Sequence, residues 1–387
     1  MRILFLNYEY PPLGGGGGVV MAALARELAR THSVTVLTSG GLGLPAEADD
    51  GGARVLRVPV FFRRELAVAN FPSMLAYLPM AGVRAWREGL RSQFDVINTH
   101  FVVPTGPLGR WLARRYRIPN VLSLHGGDLY DPSKGSSPHR HALLRVAIRR
   151  LLRQADALVG QSRDTLKRVV EMYGETRTVE LIPLGIERPP RIADASRAAM
   201  GLAADAFVMI TIGRLVARKS ATQLVDALHA AQRPNAHLVV VGDGPDAEAI
   251  RQRAAGFGLA DRVHLLGQVS ERRKFEALSV ADAFVSTSQH EGFGLVFLEA
   301  MAYGLPVVCY NRGGQTDFLE EGRTGSVIAL NDLAAFTGAI VGLHDDPVRR
   351  ARMGQSNLER VEEFFIDRCA QHYEKVFDAA IRAHGAR

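Results

Sequence analysis

RILFLNYEYPPLGGGGGVVMAALARELARTHSVTVLT, residues 2–38, is the stretch on which the fold turns. Residues 2–7 are a short apolar run, and Tyr10 to Gly18 is rich in turn formers. A helical pattern follows from Val19 to Arg30, then a second apolar run at 33–38. Strand, glycine-rich turn, helix and strand make a βαβ unit. The alternation goes on. Strand-like runs lie near 53–59, 94–98, 119–124, 156–160 and 178–182, with helical patterns between most of them. Strands that read as unbroken apolar runs are buried on both faces, which is the mark of a parallel sheet.

The pattern breaks at 183–206, where Pro183, Pro189 and Pro190 precede a stretch without a strong apolar face, a linker signal. It restarts with FVMITIG (207–213), HLVVVG (237–242), RVHLLG (262–267), AFVST (283–287), PVVCY (306–310) and TGSVI (324–328), and helical patterns close the chain from 331 to 384. The sequence therefore predicts an α/β protein of two doubly wound domains. In such sheets ligands bind beyond the carboxyl ends of the strands, so the two clefts are expected to face each other.

Composition agrees. At about 150 residues per domain, 387 residues predict two or three domains. An apolar share of 47% with 22% charged residues excludes wholesale disorder. Two cysteines, Cys309 and Cys369, exclude a disulfide scaffold or a cysteine-rich zinc fold and fit a reducing compartment. The only apolar run near the N-terminus is Ile3–Leu6, so no secretory signal is visible and a cytoplasmic location is expected.

The net charge of +7 divides unevenly. Residues 1–190 hold 25 Lys and Arg against 16 Asp and Glu (+9), and residues 191–387 hold 22 against 24 (−2). A basic half suits a polyanion, an anionic membrane or phosphorylated ligands. Nucleic acid is disfavoured, because the basic residues lack interleaved aromatics and no recognised module is present. Leu66–Val83 has no charge but contains Pro72 and Pro79, which argue against a spanning helix. Internal packing and a membrane-surface or acceptor-groove role both remain open for it. Helix 140–153 aligns His141, Arg145, Arg149 and Arg153 in one row, with Leu143, Leu144, Ala147, Ile148 and Leu151 expected on the other face. That row reads either as a solvated face or as a contact with anionic lipid, which would place the protein peripherally on the inner face of the plasma membrane.

HEGFGLVFLEAMAYGLPVV, 290–308, carries the densest chemical signal. Gly292 and Gly294 allow a tight turn into a helix, with Glu291 in the turn and Glu299 inside the helix. The helical part separates the two carboxylates by roughly 8 Å, the scale of an elongated ligand. The free N–H groups at the helix start, Phe293 to Val296, suit an anion. This stretch closely resembles the signature of glycosyltransferase family 4, the retaining nucleotide-sugar transferases of the GT-B fold: two glutamates eight positions apart within E-G-F-G-L-x-x-L-E-A-M-A-x-G-x-P-V-V. Further matches run in the family's order: GRLVARKS (213–220), VGDGP (241–245), GQVS (267–270) and CYNRGGQTDFLEEGRTGSVI (309–328), with Asp317 where many relatives have Glu.

The resemblance implies two Rossmann-like domains, an acceptor domain at 1–190 and a nucleotide-sugar domain at 191–365, with helix 366–387 packing back on the first. It implies Arg214 and Lys219 on the diphosphate leaving group and Glu291 on the sugar ring. Glu299 is expected on the ribose, Val269 at the nucleobase, and Gly213, Phe293, Gly294 and Leu295 around the phosphates. In the first domain, PPLGGGGGVV fits the family's glycine pair with Gly17 and Gly18, whose N–H groups would meet the donor phosphate. The five-glycine run also reads as a flexible loop. A looser dinucleotide fingerprint at Gly242, Gly244 and Ala247 is discounted, because Asp243 and Asp246 would oppose a pyrophosphate. His125, Gly126 and Asp128 resemble the family's H-G-x-D, with His125 near the transferred sugar. Asp128 is expected to bind the acceptor or orient His125, and His100 is a further candidate on the acceptor side. LIPLGIE (181–187) departs from the family's P-N-G-V-D at Leu184 and Glu187.

The expected activity is retaining transfer of a hexosyl unit from a nucleotide-diphosphate sugar to a saccharide or lipid-linked acceptor, in cell-surface polysaccharide or glycolipid synthesis. No Asp-x-Asp occurs, so no metal and no cofactor are expected. Two other readings stay open: a GT-B enzyme of other chemistry, an epimerase or phosphorylase, and a non-catalytic nucleotide-sugar-binding protein.

Overall fold

The computed structural model describes residues 1–61, 63, 71–88, 94–131, 135 and 137–386. The first part of the uncharged stretch, Leu66 to Asn70, lies outside the described residues. The chain forms two compact units, one of Met1–Glu187 together with Phe364–Arg387 and one of Arg188–Glu363.

The first unit contains β1 (Arg2–Leu6), α1 (Gly16–Ala29), β2 (Ser33–Gly40), β3 (Glu47–Asp50), β4 (Ala53–Pro59), α2 (Phe71–Arg87), β5 (Val96–His100), α3 (Gly106–Tyr116), β6 (Asn120–Leu124), α4 (Ala142–Gln154), β7 (Ala157–Gly160), α5 (Arg163–Tyr173) and β8 (Glu180–Leu181). The second contains β9 (Phe207–Ile212), α6 (Thr222–Ala231), β10 (Ala236–Val241), α7 (Ala247–Gly256), β11 (Val263–Gly267), α8 (Glu271–Val280), β12 (Ala283–Ser286), α9 (Leu295–Ala302), β13 (Val307–Tyr310), β14 (Gly325–Ile328), α10 (Leu333–Asp345) and α11 (Pro347–Val361). The closing helix α12 (Ile366–Gly385) returns to the first unit.

The first sheet has strand order β3-β4-β2-β1-β5-β6-β7-β8, parallel except for the β3–β4 pair. Right-handed crossovers then put α2 to α5 on one face and α1 on the other. The packing follows: α2, α3, α4 and α5 lie side by side, and α1 packs on α12. Tyr373 of α12 is fully buried, with its hydroxyl 3.0 Å from the Ser123 hydroxyl, so this helix completes the first unit's core. The second sheet is parallel, in the order β11-β10-β9-β12-β13-β14. Among the described residues no helix is long and apolar enough to cross a membrane.

Three local expectations change. β3 has the sequence EADD and no apolar pattern; it is an antiparallel edge strand, and acidic side chains on an edge discourage further pairing. Helix α1 begins at Gly16, so the last three glycines of the run are its first turn and not a loop. On α4 the buried face is Ile148, Leu151 and Leu152, while Leu143 is 87% exposed and Val146 and Ala147 are also exposed. Arg149 stays exposed in the row, with its Nε donating to the Tyr173 carbonyl at 2.8 Å.

Strand β14 starts at Gly325 with φ +157°, and a Cβ there would fall 1.8 Å from the Val307 carbonyl oxygen. Gly325→Ala is therefore expected to destabilise the second unit by about 2 kcal/mol or more, measured by urea denaturation. Wild-type stability would contradict the close strand approach.

Candidate active site

In the second unit, the β9–α6 connection passes through Gly213, Arg214 and a 3-10 turn at Ala217–Lys219. The connection after β12 runs beside it. Gln289 N donates to the Arg218 carbonyl at 2.9 Å, and the Thr287 hydroxyl donates to the Ser220 carbonyl at 2.9 Å. This lacing brings Lys219 onto Glu291, whose Oε1 accepts from Lys219 Nζ, while the Arg218 guanidinium lies 3.6 Å from Oε2. Glu291 is buried. Burial alone would raise its carboxyl, but Lys219 and then Arg218 outweigh that and hold it down to about 2. The backbone of Glu291 is bonded on both sides of Gly313, with Glu291 N to the Arg312 carbonyl at 3.1 Å and Gly314 N to the Glu291 carbonyl at 3.0 Å. Gly313 has φ +118°, and a Cβ there would meet the Glu291 carbonyl oxygen at 2.0 Å. Only glycine allows this approach.

Gly213, Arg214 and Lys219 line one small recess together with Ser286. Arg214 is exposed and has no ion pair among the described residues. Gly242 and Gly244 pack against this loop. Cβ atoms on them would come within 2.0 Å of the Gly213 carbonyl oxygen and 2.3 Å of the Leu215 carbonyl oxygen. That packing accounts for both glycines without a pyrophosphate.

Gly294, at φ +93°, caps α9 with no side-chain cap, which leaves the N–H groups of Leu295 and Val296 at the helix start. The Phe293 ring is buried 5.3 Å from the Phe318 ring, so Phe293 can meet a ligand only through its backbone. On the same helix Glu299 Oε1 accepts from Lys274 Nζ at 2.9 Å, and Oε2 is buried without a partner. Burial raises the Glu299 carboxyl above its ordinary value, and Lys274 offsets part of that. A lone buried oxygen costs about 1–3 kcal/mol, a penalty a ligand hydroxyl would relieve. Val269 is half-buried in the short connection between β11 and α8.

The first unit gathers its candidates at the carboxyl ends of β1, β5 and β6. His100 and His125 are buried with His100 Nδ1 3.1 Å from His125 Nε2. Burial holds both rings neutral: His125 falls to about 4, and His100 falls well below its ordinary value, helped by its neighbour. His125 Nδ1 is left buried and unpartnered. His100 stacks on Phe5 with ring centroids 5.1 Å apart and has no exposed surface, so its polar contact is with His125 and not with solvent.

Of the two roles expected for Asp128, its contacts fit the one directed at His125. Its Oδ1 accepts from His125 N at 3.0 Å and its Oδ2 from Val102 N at 2.7 Å, so the buried carboxylate ties the backbone of His125 to that of Val102. Gly18 N donates to the Gly15 carbonyl and is not presented to a phosphate. Glu9 already accepts from Gly15 N at 3.1 Å, beside the start of α1. Gly17 keeps its place for a steric reason: a Cβ there would fall 2.6 Å from Phe101 Cζ.

Models of two families match this chain: "Glycosyl transferases group 1" over residues 193–360 and "Glycosyl transferase 4-like domain" over 15–185. A GDP-mannose-dependent alpha-(1-6)-phosphatidylinositol monomannoside mannosyltransferase from Mycolicibacterium smegmatis is 30% identical over 371 residues, covering 91% of each chain. The chain belongs to glycosyltransferase family 4. The fold of this glycosyltransferase is GT-B. Sucrose-phosphate synthase from Thermosynechococcus elongatus superposes with a TM-score of 0.84 at 24% identity, covering 99% of this chain and 100% of that one. HepE from Anabaena, in complex with UDP, does so with 0.78 at 20% identity, covering 98% and 100%.

Four contacts in this glycosyltransferase escaped the sequence: Arg218 on Glu291, Lys274 on Glu299, the backbone role of Asp128, and Phe101. Phe101 holds φ +65° and stacks on His125 with centroids 4.2 Å apart. Adjacency to Lys219 was the one available signal for Arg218. The others are set by packing alone.

The low value at Glu291 has a thermodynamic consequence. Its folded-state value lies below the ordinary 4.5, so its contribution is complete above pH 4.5 and is lost as pH falls towards about 2. The scale is about 3 kcal/mol. Glu291→Gln should destabilise the second unit at pH 7 and flatten the acid limb of its urea stability between pH 5 and 3. An unchanged limb would contradict the ion pair.

Proposed function

We propose that this glycosyltransferase moves a hexosyl unit from a nucleotide-diphosphate sugar to a saccharide or lipid-linked acceptor, with retention at the anomeric carbon, in cell-surface polysaccharide or glycolipid synthesis. The observation that carries the reading is the convergence of Lys219 and Arg218 on Glu291, with Arg214 in the same recess as Lys219. A diphosphate leaving group develops charge in the transition state, and fixed cations in a partly buried recess stabilise it there most. Arg214 and Lys219, with the N–H groups of Gly294 and Leu295 at the start of α9, take that role. Glu291 positions the sugar. Glu299 Oε2 accepts a ribose hydroxyl, and the Val269 backbone borders the nucleobase. In the first unit, His125 offers Nδ1 to sugar hydroxyls, and the first turn of α1 at Gly17 offers backbone N–H groups.

A carboxylate paired with two cations is a weak nucleophile, which disfavours a covalent intermediate on Glu291. Retention itself rests on the family resemblance, which favours attack from the face of departure with the leaving phosphate taking the proton. The donor class is supported by the M. smegmatis relative, named for GDP-mannose, and by the UDP held by Anabaena HepE. A lipid-linked acceptor is supported by the first of these, which is named for a phosphatidylinositol monomannoside.

Two outcomes test this. Lys219→Ala and Glu291→Ala should each lower turnover at least ~100-fold in an assay of acceptor-dependent nucleoside diphosphate release, and near-normal turnover in both would refute the site. Protein cations supply the leaving-group charge in this reading, so excess chelator should leave the rate within about two-fold; a rate abolished by chelator and restored by a divalent cation would reassign the chemistry to a metal.

A further inference from the structure

The turns after β6 and β7 lie side by side, because Leu124 pairs with Gly160 in the parallel register. His125 and Gln161 are therefore neighbours at the carboxyl ends of adjacent strands. Both are more than nine-tenths buried. His125 is held at nearly every polar atom. Its N–H donates to Asp128 Oδ1 at 3.0 Å, and its carbonyl accepts from Gly127 N at 2.9 Å and from Gln161 Nε2 at 2.6 Å. Phe101 stacks on its ring, and its Nε2 meets His100 Nδ1 at 3.1 Å. Only Nδ1 is left, buried and without a hydrogen-bond partner among the described residues. Gln161 shows the same pattern, with Nε2 engaged and Oε1 buried and unpartnered. A buried polar atom without a partner is costly, and here two such atoms belong to neighbouring side chains.

The surrounding bonds decide what each atom offers. The Gln161 amide cannot be turned over, since that would set its oxygen against the His125 carbonyl, so Oε1 is an acceptor. Burial keeps both imidazoles neutral, and each then has one N–H and one lone pair. The ring centroids are 5.3 Å apart, little more than the 3.1 Å bond extended to both ring centres, so the two nitrogens point at each other with one N–H between them. If His125 supplied that N–H, His100 would carry its own proton at Nε2. That atom is buried and unpartnered, on a ring with no exposed surface that is stacked on Phe5. If His100 supplies it, only a lone pair is stranded there, which is less costly than a stranded N–H. The proton of His125 then sits on Nδ1. The Gln161 side chain agrees, because it favours the proton-bearing His125 ring, as a carbonyl oxygen beside an N–H does.

From this juxtaposition we infer that His125 Nδ1–H and Gln161 Oε1 form a subsite for one hydroxyl of the transferred sugar. The imidazole donates to the hydroxyl oxygen, the amide oxygen accepts the hydroxyl proton, and His100 is the positioning residue that keeps the proton of His125 on Nδ1. Of the oxygens in a sugar only a hydroxyl both accepts and donates, so it alone satisfies both buried atoms at once. A ring or glycosidic oxygen would leave Gln161 unpaired. The subsite deepens the proposed transfer reaction and rests on it for the identity of the ligand. The proton position on His125 and the two unpaired atoms do not depend on that reaction.

Nitrogen-15 NMR of the full chain labelled at histidine tests the proton position without any reaction. The His125 signals, identified by their loss in His125→Gln, should show a protonated Nδ1 and a bare Nε2. His100→Asn, whose amide can donate from the place of Nδ1, should keep that state, and His100→Leu should lose it. A proton on Nε2 in the wild type, or no change in His100→Leu, would overturn the role of His100. The same signal reports on the ligand. Whichever of UDP-glucose and GDP-mannose binds by calorimetry should shift the Nδ1–H resonance of the wild type, and UDP or GDP alone should not. A bound sugar nucleotide that leaves the resonance in place, as a site filled by water alone would, overturns the subsite even where transfer is observed. In the transfer assay, one monodeoxy analogue of the accepted donor should lose kcat/KM at least ~100-fold in the wild type, because it leaves two buried groups unpaired. The same analogue should lose no more than ~5-fold in Gln161→Leu, where one of those groups is gone. If no deoxy position depends on Gln161, the subsite is wrong while the reaction stands. A protein whose His125 signal answers to sugar nucleotides but which transfers nothing would overturn the reaction and leave the subsite in place.

Discussion

The buried ion pair of Glu291 with Lys219, supported by Arg218, is the constraint around which the second unit is arranged. A buried carboxylate without its cation would be unfavourable by several kcal/mol, so both sides of the pair must be placed accurately. Lys219 is delivered by the β9 loop, which owes its course to Gly213 and to the close approach of Gly242 and Gly244. Glu291 is delivered by the β12 loop and locked by backbone bonds around Gly313. Neither loop has a purpose apart from the other. The glycines and the hydrogen bonds between Gln289, Thr287 and the 218–220 turn are the means by which two chain segments about seventy residues apart share one charge pair.

The first unit solves the opposite problem. Its buried polar groups are kept neutral or bound to backbone. His100 and His125 face each other as uncharged rings, and Asp128 ties the backbone of His125 to that of Val102. Phe101, forced to positive φ at the end of β5, fills the space between Gly17 and His125. The glycine at 17 thus answers to a ring and not to a ligand alone. The unit's positive charge lies outside this site, on α3 and α4.

Much of this was legible in the sequence. The thirteen strand-like runs all correspond to strands, because most of these strands are buried and so leave an apolar signature; β8, with both residues exposed, is the exception. What was missed had no such signature. Strand β3 is held by pairing with β4 at an edge, where its acidic residues carry no periodicity. The face of α4 was misread because Leu143 and Ala147 are apolar yet unburied, and a periodic pattern cannot tell a core from an exposed apolar surface. In the site, Glu291, Lys219 and Glu299 were marked by family spacing. Their partners Arg218 and Lys274 were not, since an ion pair across tens of residues depends on how loops pack. Asp128 and His100 were correctly drawn to the neighbourhood of His125, but only burial and hydrogen bonding distinguish a residue that supports from one that touches a ligand.

The central claim is that Glu291 and the donor's diphosphate compete for the same cations. Calorimetric titration of UDP and GDP into wild type and Glu291→Gln tests it directly. With the carboxylate charge removed, Lys219 and Arg218 are released, and the account predicts that the preferred nucleoside diphosphate binds Glu291→Gln several-fold more tightly than wild type although turnover is lost. Equal or weaker binding to the folded variant would contradict it.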